Sequence, residues 1–428
     1  VGLTVGFARA HVVGAGLAGL NAATLLAEAG LAVSLSDSAA RAGGRCRSYF
    51  DPSLGLTIDN GNHLVLASNP AVKAFRERIG ATEPLAGPSH ADFAFADLGT
   101  GERWELRIND GAIPWWVAVP SRRIPGTRMA DYLPLGKLLL GKGEQTIGDL
   151  IATTGPVWDR MLAPVLLAVL NTDVASSSAV LAANVLKETL AKGGLASAPR
   201  IAMPTLGAAF IDPAIAWLGG KGCDLATGRR LKAIKTEANR VSALVWNDGE
   251  EAVSPDAAVV LAVPAWVAGD LVPGLSVPDD HRAIVNAHFA CAPPKGAPEM
   301  LGLLNATSEW LFTHPDRVSV TISAADHLVD IPREDLARTI WAEVAQALGL
   351  PADTPLPPWQ IVKEKRATFA ATPAQERLRP GQRTAFTNLF LAGDWVDTGL
   401  PATIEGALRS GDTAARLVLG QRLVYGRG

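Results

Sequence analysis

The chain has little cysteine, little net charge and no long apolar run, and each shortage removes a class of protein. Its three cysteines, Cys46, Cys223 and Cys291, lie far apart without CxxC spacing, so neither a disulfide framework nor a zinc site is expected, and no metal is assigned. A net charge of −3 over 428 residues gives no global attraction to nucleic acid. No run approaches the about 20 apolar residues of a membrane-spanning helix, the longest candidate being 165–170. The start lacks a basic segment followed by a long apolar stretch, which argues against secretion. A cytoplasmic setting is expected.

What is present is globular: 48% of residues are apolar and 19% charged. A chain of 428 residues is too long for one core, so two domains are expected.

The first informative pattern follows His11-Val12-Val13. Gly14-Ala15-Gly16-Leu17-Ala18-Gly19 leads into a helical stretch over 20–29, closed by Gly30, and a strand-like alternation (Leu31, Val33, Leu35) ends on Asp37. Gly14 permits the tight turn, Gly16 lets backbone approach a pyrophosphate, and Gly19 lets helix and strand pack closely. The helix N-terminus offers free N–H groups to phosphate. Asp37, 18 residues after Gly19, suits the adenosine ribose hydroxyls, with Ser38 beside it. NAD and FAD remain equally open at this point.

Arg41-Ala42-Gly43-Gly44-Arg45 follows, offering open backbone and two planar guanidinium groups, although a solvated turn would read the same. Far along the chain, Asn388-Leu389-Phe390-Leu391-Ala392-Gly393-Asp394 reads as a buried strand ending on Gly-Asp. Pro401-Ala402-Thr403-Ile404-Glu405-Gly406-Ala407 then reads as the start of a helix running to about Leu419, with Gly406 and Gly411 suited to close approach.

These three motifs, in this order, resemble the flavin-containing amine oxidase and phytoene desaturase superfamily. The resemblance implies FAD as cofactor, Asp394 and Gly393 at the flavin ribitol, and the helix opening at Thr403, Ile404 and Glu405 aimed at the flavin N1/O2 edge. It also implies contact between the Leu231 backbone and adenine. Asp37 departs from the family, which more often carries Glu there. The fold expected is α/β: a Rossmann-like FAD-binding domain of the glutathione-reductase type, amine-oxidase-like, from 1–65, 211–264 and 361–428, with an inserted α+β substrate domain from 66–210 and 265–360. Strands are expected at 231–234, 241–246 and 259–264, with Asn247-Asp248-Gly249 as a hairpin turn.

Amine oxidases of this superfamily place an aromatic residue just before the terminal helix. Here Asp397-Thr398-Gly399-Leu400-Pro401 has none, so a cationic amine would lose its ring contacts. Apolar stretches at 162–170, 180–186 and 201–218 suit either a hydrocarbon tunnel or ordinary core helices. Asp59-Asn60-Gly61-Asn62-His63, the stretch closing on Leu170-Asn171-Thr172, and Ala183-Asn184-Val185-Leu186 look like the squalene-associated desaturase subgroup, the hydroxysqualene dehydroxylases of hopanoid pathways. That resemblance implies reductive removal of an allylic hydroxyl from hydroxysqualene. A phytoene-type desaturase is the alternative, and a non-catalytic flavin- or lipid-binding protein the second.

Dehydroxylation needs a general acid. Candidates are His63, with Asp59 orienting it, and Asn62 or Asn171 hydrogen-bonding the hydroxyl; Asp173 and Asp212 have weaker support. No second strand–GxGxxG–helix unit occurs, since Gly219-Gly220-Lys221-Gly222 has the wrong spacing, so an external electron donor or reductase is expected. Residues 115–142 carry Trp115, Trp116 and a run of leucines with five basic residues against Asp131. That composition suits either a peripheral anchor on the inner face of the cytoplasmic membrane or a core helix.

Overall fold

The computed structural model describes residues 6–425. Strand Ala257–Leu261 is buried at every residue, as expected for the interior of a parallel sheet covered on both faces. It lies between Arg9–Val13 and Leu389–Leu391, and the five-stranded sheet continues outward through Ala32–Ser36 to Asp224–Ala226, all pairs parallel. Segments from both ends of the chain therefore share one sheet. Helix Leu17–Glu28 follows the first strand, with Ala29 as its C-cap and Gly30 at φ +91°.

A second, seven-stranded sheet runs in the order Trp359–Phe369, His281–Phe289, Val318–Ile322, Trp310–Thr313, Met300–Leu304, Asp92–Asp97, Arg103–Arg107. Helix Arg333–Leu348 covers it with Leu336, Ile340, Trp341 and Val344, residues at helical spacing on one face, and stops at Gly349 with φ +68°. The segment beginning at 361 thus enters the large sheet before the chain returns to the parallel one. Helix Pro70–Arg78, from within 66–210, packs Val72 and Phe75 into the core that contains Leu20 and Leu26 of the first helix.

The sequence reading of the middle stretch holds locally. Leu231–Glu237 and Arg240–Trp246 pair antiparallel, and the Trp246 N–H donates to the Gly249 carbonyl across the expected hairpin. These strands and Glu250–Ala252 form a separate three-stranded sheet. Much of the 201–218 stretch is core. Leu206, Ala209, Phe210, Ala214 and Leu218 are buried in the first helix's core, where small alanines allow close helix packing. No helix among the described residues is long and apolar enough to cross a membrane.

Candidate active site: a dinucleotide cradle and its supports

The three glycines of the first loop have three different environments. A Cβ on Gly14, at φ +107°, would meet the Ala262 carbonyl oxygen at 2.3 Å, so the turn must press against the end of strand Ala257–Leu261. A Cβ on Gly19 would stand 1.8 Å from the Gly14 oxygen. Around Gly16 there is nothing within 4 Å. Two glycines serve packing, and the third keeps space open at a helix N-terminus, where a phosphate fits.

The second loop lies over the first. The Gly43 N–H donates to the Ala15 carbonyl at 2.8 Å, and Gly43 and Gly44 both have positive φ. Asp37 closes the far side. Its two carboxylate oxygens accept the Ala15 and Ala39 N–H groups, each at 2.7 Å, which leaves spare lone pairs for ribose hydroxyls. The Gly228 and Arg229 N–H groups bond the Ala39 and Asp37 carbonyls, bringing the strand that starts at Leu231 to the same end of the sheet. Ser38 and Arg41 are exposed at its rim.

Arg45 and Asp394, 349 positions apart, form an ion pair at 2.6 Å, and Arg45 also donates to the Ala367 carbonyl at 2.5 Å. Burial opposes the guanidinium's charge, but the Asp394 carboxylate holds its pKa above the ordinary value. Both residues were expected at the cofactor. The structure brings them together, with Arg45 bound to protein partners through both terminal nitrogens.

The terminal helix is Ile404–Val418, starting later than expected because the Thr403 hydroxyl caps it by accepting the Gly406 N–H at 3.0 Å. Pro401 precedes the helix. A Cβ on Gly411 would lie 2.2 Å from the Ala18 oxygen, so this helix crosses the first helix with backbones almost touching. Gly393, at φ +147°, donates its N–H to the Ser410 hydroxyl at 2.8 Å.

Glu405 does something the sequence reading missed. Its carboxylate is buried and accepts the Ala71 and Val72 N–H groups, each at 3.1 Å, capping helix Pro70–Arg78. It also pairs at 2.7 Å with Arg409, which holds Glu188 through two bonds of 2.7 and 2.6 Å. The i, i+4 spacing of Glu405 and Arg409 was a readable signal; Glu188 had none.

A second support was also missed. The Arg379 guanidinium, its side chain wholly buried over the Phe369 ring, donates to the carbonyls of Asp394, Trp395 and Val396 and to the Thr398 hydroxyl. One cation thereby fixes the loop that carries Asp394. No motif marks it.

The four catalytic candidates separate. His63 lies beside Arg45 and Asp394; burial, then the Arg45 charge, lowers its pKa to about 4, so the ring is neutral at pH 7. Asp59 does not orient it. The Asp59 carboxylate accepts from the Ser48 hydroxyl at 2.5 Å and the Leu206 N–H at 3.0 Å, and burial raises its pKa to about 6. Asn62 donates to the Thr321 hydroxyl at 3.1 Å. Asn171, at φ +47°, donates to the Thr368 hydroxyl and accepts the Ala324 N–H, so both ends of its amide are spent on structure. The carboxylate of Asp173 accepts the Ser176 N–H, and Asp212 stands in the first turn of helix Asp212–Gly220.

The cradle fits a dinucleotide with a flavin: an open glycine at a helix start, an acid at the second strand's end, and an ion pair between a partly exposed Arg45 and a buried Asp394. The family model for flavin containing amine oxidoreductases matches residues 17–419. The chain belongs to this family. It is 51% identical to the hydroxysqualene dehydroxylase of Rhodopseudomonas palustris over 96% of its length and 98% of the relative's, and 47% identical, at the same coverage, to that of Sinorhizobium fredii. A probable zeta-carotene desaturase from Synechococcus elongatus matches at 23%. Among solved structures, cyclohexylamine oxidase from Brevibacterium oxydans aligns with a TM-score of 0.70 at 15% identity, covering 97% of this chain and 99% of that one, which establishes the fold. The chain is an FAD-dependent oxidoreductase.

Proposed function

We propose that this enzyme removes the allylic hydroxyl of hydroxysqualene reductively, giving squalene. The observation that carries the reading is the near-complete alignment, at 51% identity, with a protein named for that reaction, joined to a cradle whose every element suits FAD. The desaturase alternative rests on relatives at 23% identity and no separate structural feature.

Reduced FAD, when bound, supplies the hydride. The departing hydroxyl takes up a proton and leaves as water; the chain's own residues hold the cofactor and the loops around it. Gly14, Gly16 and Gly19 shape the phosphate seat, Arg45 and Asp394 lock the two ends of the cofactor domain together, and Arg379 holds the Asp394 loop. Thr403 caps the terminal helix, whose free N-terminal N–H groups stabilise negative charge at its end. The loop at 397–401 brings no aromatic ring, and the Asn184 amide pins it by donating to the Gly399 carbonyl at 2.8 Å. His63 serves here as a neutral hydrogen-bonding group, its pKa of about 4 leaving it uncharged at pH 7. In this reading the substrate comes from a lipid phase and the electrons from an external donor. Anaerobic incubation with hydroxysqualene and chemically reduced FAD should yield squalene; an unchanged substrate, or a new double bond formed by the oxidised enzyme, rejects it.

A further inference from the structure

Six of the ten large apolar side chains exposed among the described residues come from the span 113–195. Ile113, Trp115, Met129, Leu133, Leu140 and Leu195 are all substantially exposed, with Leu133 at 70%, Leu140 at 73% and Ile113 at 78%. They come from separate segments, and named contacts bring those segments together. The turn Met129–Tyr132 runs directly into helix Leu133–Leu138, so Leu133 and Lys137 share one outward face of the helix, with exposed Met129 in the turn before it and exposed Leu140 in the turn just after it. The opposite face anchors the helix: Leu138 is fully buried, and Tyr132 meets the Trp116 ring edge-on at 5.1 Å. Trp115, next to Trp116, therefore stands beside that outward face. Behind it, the Asn109 amide donates to the Ile113 carbonyl, and the Gly194 N–H donates to the Asn109 carbonyl at 2.7 Å, which brings Leu195 to the same region.

The rim is cationic. The Arg122 guanidinium stacks 4.7 Å from the Trp115 ring centre, and Arg128, Lys137 and Lys142 are exposed nearby. The acids at this rim are already engaged. Asp131 caps the turn by accepting the Arg128 N–H, Asp110 faces His90, and Glu144 pairs with Arg377 at 2.8 Å. Apolar tips with an aromatic–arginine pair and basic residues around them match an anionic bilayer surface: leucines enter the acyl boundary, the indole sits at headgroup level, and the cations meet lipid phosphates. We propose that this discontinuous face seats the enzyme on an anionic lipid bilayer. It rests on the reading that the substrate is lipid-soluble, and it departs from the expectation of one continuous anchor over 115–142, since Trp116 and Leu138 within that stretch are buried.

The test is sedimentation with vesicles of phosphatidylcholine alone or with phosphatidylglycerol added. Wild type should bind the anionic vesicles roughly tenfold or more tightly than the neutral ones, and raised salt should weaken binding. Leu133→Gln/Leu140→Gln should lower binding by roughly tenfold or more at unchanged thermal midpoint, because both side chains are exposed. Arg128→Gln/Lys137→Gln should remove the preference for anionic lipid. Wild type that stays in the supernatant, or a leucine pair that binds undiminished, overturns the proposal. So does a wild-type dimer that the leucine pair converts to monomer without any vesicle binding, which would assign the face to a second copy. Binding is read without turnover, so failure of the dehydroxylase reading leaves this result standing. In the converse case, a leucine pair that processes detergent-dispersed substrate normally but vesicle-embedded substrate poorly supports both.

Discussion

The dinucleotide cradle and the exposed face over 111–142 are built on opposite principles. Around the dinucleotide cradle, backbone meets backbone, and function depends on where a side chain is missing: at Gly14, Gly19 and Gly411 a single methyl has no room. Across 111–142 the chain is a succession of short turns, and function depends on which side chains are left uncovered. The first kind of site leaves a local signature with fixed spacing. The second is assembled from residues whose neighbours are set only by the tertiary fold.

Substitutions can break that contrast. The largest effect is expected from Gly19→Ala, whose methyl would lie 1.8 Å from the Gly14 oxygen; little folded, flavin-loaded protein should be recovered. Gly16→Ala is the matched control: with nothing within 4 Å, unfolding stability should change by less than about 0.5 kcal/mol while FAD retention falls. Equal damage from both, read by denaturation and by flavin absorbance per chain, would remove the distinction between packing and phosphate glycines.

Asn171→Ala should cost about 1–3 kcal/mol, because the partly buried Ala324 N–H loses its acceptor. Turnover per folded, flavin-loaded molecule should hold. A large fall in turnover at unchanged stability would instead restore Asn171 to the chemistry.

The smallest effect is in acid. Burial, then the charge of Arg317, lowers the pKa of His288 and of His314 to about 3, and His63 sits at about 4, against an ordinary 6.5. These rings stay neutral in the native state while the unfolded chain binds protons. Stability should therefore be unaffected above about pH 6.5 and fall as pH drops from there toward 3–4. Asp59, raised to about 6 from 3.8, works the other way, its contribution being lost as pH rises through that window. His314→Gln should shift the acid unfolding midpoint to lower pH, as followed by tryptophan fluorescence; an unmoved midpoint would exclude His314 as an acid trigger.

Much of the cradle was legible because its glycines, Asp37, Arg45 and Asp394 stand at fixed distances from strands and helix starts. What stayed hidden was held by single long side chains acting across the chain. Arg379 looks like any loop arginine until its carbonyl partners at 394–396 fold around it. Asp59 and Asn171 had the right chemistry for catalysis, but their polar atoms bond backbone and hydroxyl groups of distant segments, which no spacing predicts. Leucines at 138–140 look alike in sequence, yet Leu138 ends its helix buried in the core and Leu140, in the turn beyond, is surface.

The parallel sheet receives its fifth strand, and the first helix a neighbour in backbone contact, from a part of the chain synthesised well after them. Until ribosomal synthesis reaches that point, the emerging protein has a raw sheet edge at 257–261 and an Arg45 lacking its anion. Coenzyme capture would then act as a completeness check: a message cut short yields a polypeptide that cannot turn yellow, however well its earlier parts have folded.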